Sequence, residues 1–240
     1  MKKVNHEELG KLIKTYYNQV DEKSRKIPLL VYGTFGVGKS AKILETGKEI
    51  ADKKEKDFIE WNSLTQLEKD DVMKNPQGKF VFIDIRLSEY DTSDVKGLPD
   101  FKDETSIIWK SPMWAKFICN PNSDGVILFD EINLATPLVI SSVYKILYDR
   151  NIGESRIATD WLILGAGNLE SDNAHTHELA FPVRDRGGEV ILSPASKDGW
   201  IDNFALKHQI DSRIIGFLSM KPSYLHKVDE SSEQKFTTVS

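Results

Sequence analysis

The sequence has little cysteine, no net positive charge and no long apolar run. It contains one cysteine, Cys119, among 240 residues, so an intrachain disulfide and a cysteine-built zinc site are excluded. Cys119 follows the apolar run Trp114–Ile118, and we expect it to be a small buried hydrophobe rather than a nucleophile. The formal net charge of -5 argues against broad attraction to nucleic acid or anionic lipid, although it is compatible with a local basic patch.

No apolar run is long enough to span a membrane, and the N-terminal residues Met1–Asn5 are not followed by the apolar core of a signal peptide. We therefore expect a soluble, cytoplasmic protein without membrane association. Hydrophobic residues make up 40% of the chain, which is enough for one large domain or for one domain with a small partner.

A glycine-rich segment, Gly33–Ser40, fits the phosphate-binding pattern of a glycine, four residues and Gly-Lys-Ser. It follows the apolar run Leu29–Tyr32, which predicts a buried strand, and precedes Ala41–Glu45, which predicts the start of a helix. The glycines allow backbone N–H groups to face phosphate oxygens, and the helix adds its positive end. Lys39 would bring a point charge to the outer phosphates, and the Ser40 hydroxyl would ligate Mg²⁺. The predicted nucleotide-binding residues of this segment are Gly33, Thr34, Phe35, Gly36, Val37, Gly38, Lys39, Ser40 and Ala41.

Five apolar segments predict the strands of a single sheet. They alternate with helical patterns and are almost continuously apolar, which is typical of a parallel α/β sheet covered by helices on both faces. Ligands bind at the carboxyl ends of the strands in such sheets. The predicted strands are Leu29–Tyr32, Lys79–Ile85, Gly125–Phe129, Trp161–Ala166 and Glu189–Leu192.

The remaining segments suggest a core followed by a smaller helical unit. We expect a nucleotide-binding core over residues 1–193, in which the polar segment Glu55–Asn75 is an irregular or helical surface connection. Residues 194–240 would begin a helical lid and end in a disordered tail from Asp229, which has little to bury.

Two acids, Asp130 and Glu131, follow the third predicted strand. Consecutive strand positions point to opposite sides, so the two carboxylates can do different work. Asp130 would hold Mg²⁺ beside Ser40, directly or through water, and Glu131 would polarise a water for in-line attack on the γ-phosphate. Alone, such a pair is more often a solvated strand end. After a complete phosphate loop it predicts the second half of an ATPase site.

These two segments, together with Leu164–Asn168 and Arg184–Arg186, resemble the AAA+ ATPases. Within that superfamily, Asp130–Ala135 and the arginine segment resemble the MoxR-type branch, and most of all the MoxR-like ATPases of bacteria and their phages. The resemblance covers about Pro28–Leu218. It implies a P-loop NTPase fold of the AAA+ type that hydrolyses ATP with Mg²⁺.

The resemblance also implies roles that spacing alone does not. Asn168 matches the sensor-1 position, where an amide contacts the γ-phosphate or the attacking water. Arg186 matches the arginine finger that completes the site of a neighbouring subunit, and Arg184 is the alternative finger. From the residues alone, Asn168 could instead turn the chain after a strand, and the arginines could form surface salt bridges with Asp185.

A finger supplied in trans implies a homo-oligomeric ring, usually a hexamer in this family, and relatives often act with a von Willebrand factor A type partner. We therefore expect remodelling or activation of a protein client. The segments Arg86–Trp109 and Gly153–Asp160 are candidate client-binding loops or ordinary variable surface loops. The family's helical lid carries a further arginine. Pro194–Leu225 resembles only the first half of that lid and Arg213 does not match this arginine, so we expect a truncated or minimal lid.

Two other classes of function are open. A nucleic-acid motor or loader would need basic loops, but Arg86–Trp109 is net acidic and suits a phosphate backbone poorly. A regulatory switch would bind nucleotide with little turnover, and the presence of Glu131 argues against that reading. The sequence lacks an Asn-Lys-x-Asp motif for guanine, which favours ATP over GTP.

Overall fold

A computed structural model describes residues 1–19, 26–100, 108–169, 187–227 and 237–238. Within them, the core is one sheet of seven strands, and every pairing in it is parallel. The strands are β1 (Lys2–Val4), β2 (Leu29–Tyr32), β3 (Asp57–Glu60), β4 (Lys79–Arg86), β5 (Gly125–Asp130), β6 (Trp161–Gly167) and β7 (Gly188–Leu192).

The order of the strands across the sheet is β1-β7-β2-β6-β5-β4-β3. All five predicted strands are confirmed, but the predicted number of five is wrong, because β1 and β3 form the two edges. An edge strand pairs on one side only and tolerates charged residues, so neither edge has the continuous apolar run of a central strand. The order places β6 between β2 and β5, so the ends of these three strands are neighbours.

Helices cover both faces of the sheet. The glycine-rich segment Gly33–Ser40, called the phosphate loop below, leads directly into the second helix. Asn5 caps the first helix, where its side chain accepts a hydrogen bond from Glu8 N at 2.8 Å. The helices are α1 (His6–Asn18), α2 (Lys39–Lys53), α3 (Gln66–Lys74), α4 (Thr92–Lys96), α5 (Met113–Ile118), α6 (Pro137–Tyr144), α7 (Lys197–Trp200) and α8 (Ser212–Met220). π-Helical turns, Lys145–Asp149 and Ile201–Ala205, extend α6 and α7, and 3₁₀ turns occupy Trp61–Ser63, Leu87–Glu89 and Pro222–Tyr224.

Alternate residues of each central strand enter two different apolar clusters. In β4, Phe80 and Phe82 pack with Ile43 of α2 on one face, whereas Val81 and Ile83 face the opposite side. A third, smaller cluster contains Trp200, Ala205, Leu218 and Leu225 and belongs to the segment after the sheet. Among the described residues, no helix has the length and apolarity to cross a bilayer.

Regular structure occurs in Glu55–Asn75, predicted to be an irregular or helical connection, and in Arg86–Trp109, predicted to be a long loop. Glu55–Asn75 holds the edge strand β3 and helix α3, whose ends are capped by Thr65 and Asn75. Arg86–Trp109 holds α4 and an antiparallel hairpin that pairs Leu98–Asp100 with Ile108–Lys110. A second hairpin pairs Asn151–Ile152 with Ser155–Arg156, and a third pairs His226–Lys227 with Thr237–Thr238. The tail predicted to be disordered otherwise lies outside the described residues.

A buried ionic cluster lies at the amino end of β5. Asp124 is 2% exposed and accepts hydrogen bonds from Tyr17 Oη at 2.5 Å, Lys54 Nζ at 2.5 Å and Lys56 Nζ at 2.6 Å. Burial alone would raise the pKa of Asp124, but these three hydrogen bonds outweigh burial and hold that pKa below its usual value. The cluster joins α1 and the end of α2 to the sheet, far from the carboxyl ends of the strands.

Candidate functional site

The phosphate loop connects β2 to α2 with the backbone geometry its glycines predict. Gly36 has φ 64° and Gly38 has φ 87°, a left-handed conformation that is strained for any residue with a Cβ atom. Gly33 is closely packed, since a Cβ there would lie 3.0 Å from the carbonyl oxygen of Leu192. Thr34 O accepts a hydrogen bond from Val37 N at 3.4 Å, which closes the turn that contains Phe35 and Gly36.

Lys39 is buried at the start of α2 and joins the loop to the neighbouring strand. Its ammonium group donates hydrogen bonds to Gly33 O at 2.7 Å, Thr34 O at 3.1 Å and Asn168 Oδ1 at 3.1 Å. The structure therefore brings the predicted phosphate-binding lysine and the predicted sensor-1 amide into direct contact, although 129 residues separate them in sequence.

Ser40 and Asp130 form the second predicted contact. Ser40 Oγ donates a hydrogen bond to Asp130 Oδ2 at 2.5 Å, across the neighbouring ends of α2 and β5. A hydroxyl and a carboxylate side by side offer the hard oxygen ligands that Mg²⁺ prefers, with room for water and phosphate in the other positions. No cluster of three His, Cys, Asp or Glu side chains that could hold a metal ion occurs among the described residues.

Glu131 does not continue the strand, which ends at Asp130. Its φ of 55° is left-handed, so the expected alternation of two acids along one strand is wrong. The turn is held by hydrogen bonds from Glu131 N to Asp130 Oδ1 at 2.8 Å and from Ile132 N to Ala166 O at 2.9 Å. The side chain of Glu131 accepts a hydrogen bond from Ser88 Oγ, which follows β4. The carboxylates of Asp130 and Glu131 are still separate from each other. A backbone turn separates them, and not the alternation of side chains along a strand.

Asn133 positions Asn168, a role that sequence reasoning missed. Its amide group bridges both backbone groups of Asn168, accepting from Asn168 N at 3.0 Å and donating to Asn168 O at 2.8 Å. Both asparagines are buried, with exposed fractions of 4% and 5%. The backbone of the predicted sensor is therefore fixed and its side chain is left to face Lys39. The contact spans 35 residues, and no local pattern signals it.

Asp84 is an acid near this edge that the sequence analysis did not single out. It lies two residues before the end of β4, beside Leu128 of β5. Its Oδ1 atom is buried without a hydrogen-bond partner. Burial, followed by the charge of Asp130, raises the pKa of Asp84 to about 6.

A cavity of about 460 Å³ adjoins the phosphate loop. Val37 and Ala41 line it from the loop side, and Trp200 and Leu225 line it from the segment after the sheet. His6 also lines it and holds the loop, because its Nε2–H donates to Val37 O at 2.7 Å. This volume lies within the range of ordinary small-molecule sites.

The remaining predicted site residues are not brought together by the described structure. Arg184 and Arg186, the two candidates for the arginine finger, lie outside the described residues. Arg213 is exposed and pairs with Asp211, its Nη2 atom lying 2.6 Å from Asp211 Oδ2. Burial raises the pKa of the Cys119 thiol to about 11, as expected for an unreactive thiol.

Comparisons with known proteins give low similarity. No protein-family model and no curated protein sequence matches the chain. The structure is similar to that of an ATPase candidate from Cytophaga hutchinsonii, with TM-score 0.49 and 14% identity over 85% of this chain and 51% of that one. It is similar to PCH-2 of C. elegans, with TM-score 0.44 and 16% identity over 87% of this chain and 47% of that one.

A third similar structure is Hsp104 in a closed state with ATPγS and FITC-casein, with TM-score 0.47 and 17% identity over 80% of this chain and 33% of that one. The chain thus spans about half the length of these proteins, or less. The chain has an α/β fold in which a glycine-rich loop, a strand-end acid and a strand-end amide meet at the carboxyl edge of a parallel sheet.

Proposed function

We propose that this chain is a Mg²⁺-dependent ATPase subunit of the AAA+ type, with a MoxR-like site. The observation that carries the proposal is the convergence of two pairs, Lys39 with Asn168 and Ser40 with Asp130, from three adjacent elements of the sheet edge. A phosphate loop that bound nothing would not need a buried lysine and a buried amide beside each other.

Each of these side chains has a task in phosphoryl transfer. Lys39 and the loop N–H groups neutralise phosphate oxygens, and Asn168 holds the γ-phosphate or the attacking water. Glu131 accepts a proton from that water as it attacks in line. Because Glu131 leaves the strand in a left-handed turn, its carboxylate is separate from that of Asp130 and is available for this role.

Ser40 and Asp130 are the residues that would hold the metal. Their contact, and the unpartnered oxygen of Asp84 near them, give an oxygen-rich site of the kind Mg²⁺ takes. When bound, the metal neutralises charge on the phosphate oxygens.

The cavity beside the loop is the proposed site for the nucleoside. It is bounded by Val37 and Ala41, where the loop enters α2, so a nucleotide whose phosphates lie on the loop would place its base there. The walls are largely apolar, and Trp200 and Leu225 offer surfaces on which a purine can pack. We favour adenine because the sequence has no guanine-reading motif.

We further propose a homo-oligomeric ring, a hexamer by resemblance, that remodels a protein client, with a von Willebrand factor A type protein as one candidate partner. A second cavity, of about 260 Å³, is lined by residues of both candidate client-binding segments, including Trp109 of the first and Gly153 of the second, and supports the client-binding part of the proposal. Lys96, Trp109 and Lys145 line it, and Trp109 is 49% exposed. Aromatic side chains such as Trp109 are enriched in protein-binding surfaces.

The test separates binding from turnover. Lys39→Ala should abolish binding of a fluorescent ATP analogue, whereas Glu131→Gln should bind it normally and lose phosphate release. A matched control is Glu55→Gln, which changes an exposed acid at a left-handed position away from the site. Normal turnover by Glu131→Gln would remove the role assigned to Glu131. Absence of nucleotide binding by the wild-type chain would refute the proposed function.

The trapped Glu131→Gln variant also tests the client. Single-stranded DNA, rather than protein, could stimulate ATP turnover by the wild-type chain and remain bound to the Glu131→Gln variant. In that case the chain is a nucleic-acid motor and the protein-client proposal is wrong.

A further inference from the structure

Asp84 carries a buried carboxylate oxygen that nothing in the described structure satisfies. Its Oδ1 atom has no hydrogen-bond partner among the described residues. Arg86, two residues later on the same strand, is exposed, and its charge only partly offsets the effects of burial and of Asp130 on the pKa of Asp84. The Asp84 side chain is partly exposed, but a buried carboxylate oxygen without a partner destabilises the fold, so its presence near a strand end calls for a ligand.

The sheet places Asp84 on the same side as the proposed metal site. Phe80 and Phe82 of β4 pack against α2, and strand alternation puts Asp84 on that face as well. In the adjacent strand, Leu128 shares this face, and so does Asp130, two residues later. Asp84 and Asp130 therefore approach the start of α2, where Ser40 lies, from neighbouring strands.

The backbone of Asp84 is fixed by a side chain from beyond the sheet edge. Asn62 Oδ1 accepts from Asp84 N at 2.9 Å, and Asn62 Nδ2 donates to Asp84 O at 2.7 Å. Asn133 holds the backbone of Asn168 with the same pair of bonds. Two strand-end residues are thus fixed by asparagine amides, and one of them is already part of the proposed catalytic site.

We propose that Asp84 is a positioning acid of the metal site, which accepts hydrogen bonds from water molecules on the Mg²⁺ held by Ser40 and Asp130. The inference rests on the proposed function and adds a residue to it. Mg²⁺ keeps several waters when protein side chains and phosphates supply only part of its octahedral shell. Those waters are donors, and Asp84 offers an acceptor that has no other partner. Carboxylates that orient bound waters in this way tune metal affinity without touching the ion.

The proposal predicts that removing the Asp84 charge weakens metal binding without lowering stability. Asp84→Asn keeps the shape of the side chain but removes its charge. We expect the Mg²⁺ concentration that gives half-maximal enhancement of fluorescent ATP-analogue binding to rise about tenfold to a hundredfold, the usual effect of losing an outer-sphere partner. Binding of the analogue in EDTA should be equal or tighter, because one negative charge near the phosphates is gone. The Tm without ligands should not fall.

Mn²⁺ provides a readout that needs no turnover. Electron paramagnetic resonance of Mn²⁺ with the non-hydrolysable analogue should show the same weakening of metal affinity in Asp84→Asn. If that variant is not folded by circular dichroism, Asp84→Ser is measured instead, with the same expected weakening.

Glu89→Gln is the control for charge alone, since Glu89 is an exposed acid that also acts on Asp84 through its charge. Its metal requirement should change less than threefold. Equal shifts in the two variants, or an unchanged metal requirement in Asp84→Asn, overturn the role of Asp84 while leaving nucleotide binding intact. Failure of the wild-type chain to bind nucleotide overturns both this role and the proposed function.

Discussion

Ser88 Oγ donates a hydrogen bond to Glu131 Oε2, joining the turn after β4 to the turn after β5. The bond ties the proposed water-activating carboxylate to a side chain that has no other task in the site. The bond restrains the carboxylate, because a hydrogen bond to an ionised group is stronger than one between neutral groups.

Ser88→Ala should therefore release Glu131 and raise basal turnover about threefold to tenfold, while leaving nucleotide affinity unchanged. Steady-state phosphate release and equilibrium binding of the fluorescent analogue measure the two effects separately. Ser93→Ala, in the neighbouring helix α4, is the matched control and should change neither. A fall in turnover would mean that the contact orients Glu131 productively instead of restraining it.

The two asparagine contacts make a matched pair for stability. Asn133→Ala would leave the buried N–H and C=O of Asn168 unpaired, at a cost of about 2–4 kcal/mol in the free energy of unfolding. Asn62→Ala removes the same two bonds from Asp84 at the exposed sheet edge, and we expect a loss below about 1 kcal/mol because water replaces the amide. Urea denaturation of both variants checks the difference. Equal losses would contradict the assigned effect of burial.

The Asp124 cluster predicts an acid-dependent loss of stability. Because the folded-state pKa of Asp124 lies below its unfolded value of about 4, the stabilisation is present above that pH and is lost as pH falls through the folded pKa. Asp124→Asn leaves Lys54 and Lys56 beside a neutral group, and we expect it to cost about 3–5 kcal/mol at pH 7. Urea denaturation from pH 7 to pH 3 should show the wild-type and variant curves converging in acid. A difference that is constant with pH would rule out the ionised carboxylate as the cause.

The arginine finger is tested by mixing subunits. Arg186→Ala and Glu131→Gln should each be nearly inactive alone, since losing a finger typically costs about a thousandfold or more in rate. A mixture should recover part of the activity, because some interfaces then pair an intact Arg186 with an intact Glu131. The same experiment with Arg184→Ala identifies which arginine acts. Rings that form, as judged by light scattering, but show no recovery at any ratio would argue against a finger in trans.

The central part of the fold and site could be predicted because its signals are local. Gly33–Ser40 and Asp130 lie at the ends of apolar strands, and hydrophobic runs of this kind mark buried parallel strands. The edge strands β1 and β3 could not be found in this way, since Lys2–Val4 and Asp57–Glu60 are short and partly charged.

Contacts between segments that are distant in the sequence could not be predicted either. The roles of Ser88 and Asn133 depend on which strands are neighbours, and the left-handed turn at Glu131 depends on bonds to β6 and on its own preceding acid. A glutamate is an uncommon residue at positive φ, so propensity would not place it there.

The three hydrogen bonds of the Lys39 ammonium group have a consequence for the order of events at the site. An ammonium group has three protons, and Gly33 O, Thr34 O and Asn168 Oδ1 accept from this one. A phosphate oxygen that approaches Lys39 would compete with these acceptors for its protons. If the phosphate displaces the Asn168 amide, Lys39 exchanges one acceptor for the other, and the Asn168 side chain is released as the phosphate binds. The end of β6 would then respond to whether the loop after β2 holds a phosphate.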